Sequence, residues 1–413
     1  MNLFEPRTFS TDWEIVVMDK LERAVTSEKL IGFASTLRSE LNLPIQTDWN
    51  SLEFALGINT SFAQIWERTL RTTERAGQLL REYGLELCPG GAHPLEPMYN
   101  SAHIHVGTVL DETRAIHLEN QLIGCLPAFA ALAANSALAH GQIGEFKSYR
   151  VQQQAYGCTR PASLRDPRLG QRIWGLDANT KLYSAPTLEI RIPDGASSRR
   201  FLAELATFVA AYVHYEGTQI REEMPTEASY RDYLLNRWSA AKFGLQATFT
   251  QGERTIPAAD MLDGMLDACQ QELAQLGVTR GDLTVIEAML KKRVCQADMT
   301  IELAERYRDP YCLASVYAKL GRHWELFEEY LQRAPVLEPL PAPDEAMIMA
   351  ELLAQIGEGT QYYASREGMY FPPPMADAMV ERLIAGGYIR REISERGGVM
   401  LHRNEVRVQE AQS

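Results

Sequence analysis

Four segments in the first half of the sequence combine the apolar and β-branched residues of β-strands with ionisable side chains. They are residues 12–17, 51–54, 103–106 and 188–192. Because successive strand side chains point to opposite faces, the pairs Asp12/Glu14, His103/His105 and Glu189/Arg191 each lie on one face. Burying so many ionisable groups is costly unless they bind metal, one another or a charged ligand. If these strands share a sheet, its polar face is the best indication of function.

Carboxylates mixed with an imidazole suit a hard divalent cation such as Mg²⁺ or Mn²⁺, particularly when substrate phosphates complete the coordination. Other interpretations stay open at this point. Two histidines on a strand can be ordinary hydrogen-bonded groups, and Glu189 with Arg191 can form a surface ion pair. A zinc or iron hydrolase or oxygenase site is a further alternative, although zinc more often recruits Cys or a third His.

Composition narrows the class of protein. The 413 residues are 46% hydrophobic, as in globular proteins, and the net charge of -13 argues against nucleic acid and favours a small-molecule partner. The N-terminus lacks the features of a secretory signal, and no apolar run suits a membrane span, so we expect a cytoplasmic protein. The six cysteines are scattered without a CxxC pair, which predicts free, mostly structural thiols.

The alternation of apolar residues predicts an α+β half, from about residue 10 to 195, followed by a helical half. Helical spacing and terminating glycines indicate the helices. The predicted helices are 61–83, 111–140, 199–216, 227–243, 258–276, 283–294 and 310–331.

Four prolines within residues 334–343 predict an extended, semi-rigid linker. Beyond it, helices at 344–355 and 374–385 and strands at 388–393 and 399–402 suggest a small winged-helix-like module, residues 344–413. This module holds seven Arg and no Lys against eleven Asp and Glu, which disfavours DNA binding. We expect it to pack within the chain, bind a protein partner or form a homo-oligomer.

Taken in order, seven segments resemble glutamate-cysteine ligase family 2, the carboxylate-amine ligases built on the glutamine-synthetase catalytic fold. The segments are 11–19, 52–53, 91–94, 103–107, 134–136, 144–150 and 187–194. Each is short, but seven in the family's order are hard to obtain by chance. The sequence contains neither GxxxxGK[ST] nor GxGxxG, so bound ATP would not rest on a P-loop or a Rossmann fingerprint.

The resemblance implies a curved antiparallel sheet with flanking helices that binds ATP and Mg²⁺ on its concave face. The catalytic domain would be residues 1–333, with its sheet in residues 10–220 and a helical part in 221–333. The metal ligands it implies are Asp12, Glu14, Glu53, His103 and Glu189. It places His105 near the ATP phosphates, Arg150 and Arg191 on phosphate or substrate carboxylate as the catalytic cations, and His93 and Asn135 with Arg150 at the amino-acid substrate.

The expected reaction is ATP-dependent amide formation through an acyl phosphate, with glutamate and cysteine giving γ-glutamylcysteine for glutathione biosynthesis. Two departures from the family pattern bear on it: Thr11 and Asp12 stand within its GxExE-like strand, and residues 144–147 change the charge and bulk of a loop. The alternatives are another amine (an amino acid, a polyamine or a peptide) and a catalytically weak binding or regulatory homologue.

Overall fold

The chain folds around a seven-stranded antiparallel sheet. A computed structural model describes residues 7–48, 50–107, 112–139, 142–153, 177–181, 187–223, 225–343, 347, 360–362, 383–393 and 399–403. The strands are β1 Phe9–Met18, β2 Ile45–Asp48, β3 Ser51–Ala55, β4 Glu86–Cys88, β5 Ala102–Gly107, β6 Leu138–Ala139, β7 Gln142–Ile143, β8 Ala178–Lys181, β9 Thr187–Ile190, β10 Thr248–Gln251, β11 Arg254–Pro257, β12 Thr360–Tyr362, β13 Ile389–Ile393 and β14 Val399–Arg403.

The large sheet has the strand order β2-β3-β1-β5-β9-β8, and β4 pairs with the end of β1. All of its pairings are antiparallel. The four strands expected from the sequence are therefore neighbours in one sheet. The fold class is confirmed: an antiparallel sheet with flanking helices, followed by a helical region.

Thirteen helices are found in the described part of the chain. They are α1 Ser27–Leu41, α2 Phe62–Glu82, α3 Glu112–Leu122, α4 Leu126–Ala133, α5 Tyr149–Gln153, α6 Arg199–Gly217, α7 Glu227–Phe243, α8 Ala258–Ala268, α9 Gln270–Gln275, α10 Thr284–Lys292, α11 Gln296–Arg306, α12 Pro310–Leu320 and α13 Leu326–Arg333. None of these described helices combines the length and apolarity that a membrane crossing requires.

One face of the large sheet is apolar and supplies the core. Its fully buried side chains include Trp13, Ile15, Phe54, Ile104 and Ile190. Helix α6 packs against β1 and β5 and also contacts α2. It begins where the Ser198 hydroxyl accepts the amide N-H of Phe201 at 3.0 Å, which satisfies one of the free N-H groups of the first turn. The opposite face is left to the ionisable side chains.

Several predicted helices end earlier than expected. The helix expected over 111–140 is interrupted by a 3-10 turn at Ile123–Cys125 and ends at Ala133. Pro127 lacks the N-H that would continue the hydrogen bonding of α3. The helix expected over 310–331 breaks after Leu320, and that over 258–276 breaks at Cys269. The end expected at Gly141 lies outside the described residues.

The helical half also contains a hairpin, β10–β11, that the sequence did not predict. Residues of the predicted linker bond to this half: the backbone N of Leu337 donates to Lys292 O, and that of Leu340 donates to Gln246 O, both at 2.8 Å. The linker is therefore bonded to the helical region at Leu337 and Leu340.

Three described strands of the tail form an antiparallel sheet, β12-β14-β13. Two of them confirm the predicted strands at 388–393 and 399–402. The helix expected over 344–355 and most of that over 374–385 lie outside the described residues, so the winged-helix-like module stays a prediction. Cys88, Cys125, Cys269, Cys295 and Cys312 are free thiols, and all but Cys312 are buried; Cys158 also lies outside the described residues.

Candidate active site on the polar face of the sheet

The strand register brings the predicted metal ligands onto one face. Glu14 is opposite Glu53, Asp12 is opposite His103, and His105 is opposite Glu189. Residues opposite one another in an antiparallel pair point to the same side of the sheet. We call this side the polar face, and it also carries Asp48 and Lys181. The shared face expected from the sequence is confirmed.

Three carboxylates form what we call the acidic group: Glu14, Asp48 and Glu53. One oxygen from each lies within 4.8 Å of the other two, the spacing of ligands around one cation. Burial raises the pKa of Glu14, and burial together with the negative charge of Asp12 raises the pKa of Glu53 to about 7. In the described part of the chain, no Lys or Arg forms an ion pair with Glu14 or Glu53. The group is therefore suited to a hard cation.

Asp48 was missed by the sequence reasoning. It lies at the end of the short strand β2, with no second acid two residues away to mark it. Only the pairing of β2 with β3 brings it beside Glu53.

A second cluster on the same face, which we call the cationic group, consists of Glu189 and its neighbours Lys181, Arg191 and His105. The Glu189 carboxylate is 2.9 Å from Arg191 Nη1 and 2.9 Å from Lys181 Nζ. It lies 3.5 Å from His105 Nε2 and 3.8 Å from His103 Nδ1. Although burial would raise the pKa of Glu189, the positive charges of Arg191 and Lys181 lower it. The charge of Glu189 is thus already compensated.

The predicted metal ligands therefore divide between the two groups. Asp12 is 2.9 Å from His105 Nε2, on the side of the cationic group. His103 lies at the boundary, where its Nε2 is 2.7 Å from Ser101 Oγ and 4.0 Å from a Glu14 oxygen. Burial, with the positive charge of Arg191, holds the pKa of His103 well below its usual value, so this imidazole is neutral. A neutral imidazole has a nitrogen lone pair for a cation.

Ser101 is a second residue that the sequence reasoning missed. Its backbone N-H donates to the Glu14 carboxylate at 2.7 Å, and its hydroxyl bonds His103. It thus fixes both side chains at the point where the two groups meet. Nothing in the sequence marked Ser101, because a serine just before a strand is common in any sheet.

His93, predicted to lie near the substrate, is buried and neutral. Its Nδ1 accepts the backbone N-H groups of Leu95 and Glu96 at 3.1 and 3.0 Å, so the ring proton is on Nε2. Burial, assisted by the positive charge of Arg23, lowers the pKa of His93 to about 4. Its Nε2 has no hydrogen-bond partner in the described part of the chain.

Asn135 and Arg150 are held in a buried network next to the polar face. Asn135 Nδ2 donates to Gly195 O at 2.7 Å and to Ser197 Oγ at 2.8 Å. Its Oδ1 is buried without a hydrogen-bond partner among the described residues. Arg150 Nε donates to Asp194 at 2.9 Å, and Nη2 donates to the carbonyls of Arg191 and Ile192.

Comparison with known proteins identifies the family. Residues 170–316 match the family described as Glutamate-cysteine ligase family 2. A Clavibacter michiganensis protein named "Putative glutamate--cysteine ligase 2" is 30% identical over 345 residues, which cover 68% of this chain and 87% of that protein. The chain belongs to glutamate-cysteine ligase family 2. A Cupriavidus metallidurans protein of the same name is 24% identical over 66% of this chain and 84% of its own length.

Two solved structures share the fold of this family member. The Pup ligase PafA, in complex with Pup, has a TM-score of 0.51 at 12% identity and covers 93% of this chain and 92% of its own. A bifunctional glutathione synthetase from Pasteurella multocida has a TM-score of 0.52 at 11% identity, over 79% of this chain and 53% of its own. These likenesses support the antiparallel fold.

Membership in glutamate-cysteine ligase family 2 makes the chain a carboxylate-amine ligase, an enzyme that forms carbon-nitrogen bonds. This decides against the zinc or iron hydrolase or oxygenase alternative.

The loop that departs from the family pattern has a structural role in this member. The Lys147 Nζ is 2.5 Å from Asp298 and 3.1 Å from Gln246 Oε1, so this lysine is held by the helical half. Phe146 is buried and contacts the rings of Tyr149 and Trp238. The added charge and bulk of these two side chains therefore pack into the body of the protein.

Proposed function

We propose that this protein is an ATP- and Mg²⁺-dependent carboxylate-amine ligase that joins L-glutamate to L-cysteine through an acyl phosphate. The observation that carries this proposal is the polar face, where three clustered carboxylates lie beside the cationic group, and two of them, Glu14 and Glu53, form no ion pair with a described Lys or Arg. Such a face suits a nucleotide triphosphate, because its metal ions need carboxylates and its phosphates need cations.

The acidic group supports the metal part of the proposal. Glu14, Asp48 and Glu53 offer three hard oxygen ligands, and neutral His103 lies beside Glu14. Burying Glu14 and Glu53 without a bound cation is unfavourable, as the raised pKa values of both show. Mg²⁺ bound there would neutralise phosphate charge during phosphoryl transfer. Mn²⁺ would fit the same ligands.

The cationic group supports the phosphate part. Lys181 and Arg191 are each paired with Glu189 yet stay partly exposed, so their remaining N-H donors can reach a ligand. We assign Arg191 and His105 to the ATP phosphates. Arg150 is committed to Asp194 and two backbone carbonyls by the contacts above, and we propose that it acts at the edge of the phosphate or carboxylate site.

Two buried groups support an amino-acid site next to the face. His93 offers an Nε2-H donor and Asn135 offers an Oδ1 acceptor, and each lacks a partner among the described residues. Buried polar groups are rarely left unpaired, so a bound ligand is one explanation for both. Their segments are adjacent, because Gly91 lies against the backbone of Asn135. A carboxylate would accept from His93, and an ammonium group would donate to Asn135.

The chemistry follows in two balanced steps. The side-chain carboxylate of glutamate attacks the γ-phosphorus of ATP, the bond to the bridging oxygen breaks, and ADP leaves. The cysteine amine then attacks the acyl phosphate carbonyl, phosphate leaves, and the amine loses a proton. The residues of the polar face contribute by positioning and by stabilising charge.

A mass-spectrometric screen tests this proposal. The protein is incubated with ATP, Mg²⁺, glutamate and either cysteine or a pool of amino acids, polyamines and peptides. We expect γ-glutamylcysteine with ADP and phosphate in equal amounts. A different amide with ADP would retain the chemistry and replace cysteine. ATP bound without turnover under any amine would overturn the ligase proposal and favour a binding or regulatory homologue.

A further inference from the structure

One buried carboxylate, that of Asp194, connects the loops around the polar face. It lies in the turn after β9 and is 1% exposed. Its Oδ2 accepts from the backbone N of Asn135 and from Ser136 Oγ, both at 2.8 Å. Its Oδ1 accepts from Ser148 Oγ at 3.0 Å and from Arg150 Nε at 2.9 Å. Two separate segments of the chain are therefore fixed by one side chain.

Arg150 extends this connection to strand β9. While its Nε is held by Asp194, its Nη2 donates to the carbonyl of Arg191 at 3.1 Å and to that of Ile192. Those carbonyls directly follow the strand that carries Glu189. The position of Arg191 and Glu189 on the polar face thus depends on where Asp194 holds the Arg150 guanidinium.

The same turn is bonded to the start of β5. The backbone N of Ala102 donates to Pro193 O at 3.1 Å, and the backbone N of Gly195 donates to Asn100 O at 2.9 Å. Strand β5 carries His103, and Ser101 at its start bonds Glu14. Both clusters of the polar face are consequently adjacent to the turn that contains Asp194.

Close packing leaves this turn little freedom. A Cβ on Gly91 would lie 2.8 Å from Asn135 O and 3.0 Å from the Asp194 Cβ, and one on Gly195 would lie 2.8 Å from Gly90 O. Backbone contacts of this kind cannot move aside as a flexible side chain can. The loop that carries His93 is therefore packed directly on the Asp194 turn.

We infer that Asp194 is a positioning residue for the ligase reaction: it holds Arg150 and the end of β9 so that Glu189, Arg191 and His93 keep their places around the substrates. This inference rests on the proposed function. Asp194 acts through other residues, because every one of its oxygens is bonded to the protein. Its removal would take the Asp194 carboxylate away from the buried guanidinium of Arg150 and free the turn to shift.

Asp194→Asn is the test, and Glu204→Gln is its matched control. Glu204 is also buried and lies in α6, on the apolar side of the sheet. Its carboxylate accepts hydrogen bonds from Arg200 Nε at 2.7 Å and from the backbone N-H groups of Val285 and Ile286 at 3.0 Å. Both variants lose a buried carboxylate bonded to an arginine. At a temperature where both are folded, we expect kcat to fall about 100-fold in Asp194→Asn alone, with a smaller change in KM for ATP.

A second, milder variant keeps the test valid if Asp194→Asn fails to fold. Ser148→Ala keeps the charge of Asp194 but removes its bond from Ser148 Oγ, together with the bonds that Ser148 Oγ accepts from Ser136 Oγ and the backbone N of Val151. We expect it to lower kcat by about 3- to 10-fold. If Asp194→Asn and Ser148→Ala both keep wild-type kcat while folded, or if Glu204→Gln loses as much, the positioning role is wrong.

Hydrogen exchange separates this inference from the proposed function. In Asp194→Asn we expect faster amide exchange at residues 148–151 and 187–192, with no such change in Glu204→Gln. Wild-type protein without turnover would overturn the proposed function alone, because the exchange pattern still decides the positioning role. Unchanged exchange in both segments would overturn the positioning role even in an active enzyme.

Discussion

The acidic group and the cationic group lie on neighbouring strands of one sheet face but differ in how their charges are balanced. Glu189 is paired with Arg191 and Lys181, and these cations lower its pKa. Glu14 and Glu53 make no ion pair with a described Lys or Arg, and the pKa of Glu53 is raised to about 7. All three carboxylates are buried. Their environments, rather than their exposure, set them apart.

This difference suggests two kinds of site on one face. A carboxylate that is already compensated orients its neighbours and costs little in the free protein. Carboxylates that repel one another lower the stability of the free protein, and a bound cation relieves that repulsion. The acidic group is therefore the part of the face that a metal ion would complete, and the cationic group is the part that is complete before ligands bind.

The largest expected effect comes from substituting Glu14 or His103, which lie where the two groups meet. Glu14→Gln or His103→Ala should lower ATP turnover by roughly 100- to 1,000-fold, because each removes a group aimed at the developing charge. Folding should be little affected, since Glu14→Gln keeps the shape of the side chain. ADP release and thermal unfolding measure the two quantities. Normal turnover in both variants would contradict the assignment of the polar face as the active site.

Neutralising one carboxylate in each group should change stability in opposite directions. Without divalent cations at pH 8, Glu189→Gln should lower the free energy of unfolding by about 2–3 kcal/mol, because Arg191 and Lys181 lose their partner but stay partly hydrated. Glu53→Gln should raise it by about 1–2 kcal/mol, because it removes a buried charge that its neighbours disfavour and keeps the oxygen that accepts from Gln46. Chemical denaturation measures both, and equal signs would remove the distinction between the groups.

Added Mg²⁺ or Mn²⁺ should stabilise the wild-type protein through the acidic group. At a cation concentration of about 100 times Kd, the gain is about 2–3 kcal/mol. Glu53→Gln should lose most of this gain, whereas Lys181→Ala, which leaves the acidic group intact, should keep it. Thermal unfolding with and without the cation, at constant ionic strength, gives the comparison. A gain of equal size in Glu53→Gln would place the metal elsewhere.

The sequence predicted the polar face well because strand alternation has a period of two residues, so Asp12 and Glu14 or His103 and His105 must share a side. It could not predict which acids meet. Asp48 joins the acidic group only through the pairing of β2 with β3, and Asp12 is turned to His105 instead. Both outcomes depend on tertiary contacts that no local pattern contains.

The supporting structure was predicted less well, for similar reasons. Asp194 was visible only as part of a turn, yet it accepts four hydrogen bonds from segments about 45 to 60 residues earlier in the chain. Most of the predicted helices exist, but α1 and α11 were not predicted. Helix continuity was also misjudged, since apolar spacing continues across breaks such as the one before Pro127. The hairpin β10–β11 interrupts the helical half without a strong alternating pattern.

The smallest expected effect tests which cation, Lys181 or Arg191, compensates the charge of Glu189. The Lys181 side chain is 45% exposed, and its partner Glu189 is also bonded to Arg191. Lys181→Ala should therefore change the free energy of unfolding by only about 0–1 kcal/mol, as for an exposed ion pair. Arg191→Ala should cost more, because its guanidinium is more buried and bonds the same carboxylate. Denaturation of the two variants at low and high salt measures both, and a larger loss in Lys181→Ala would mean that this lysine, rather than Arg191, compensates Glu189.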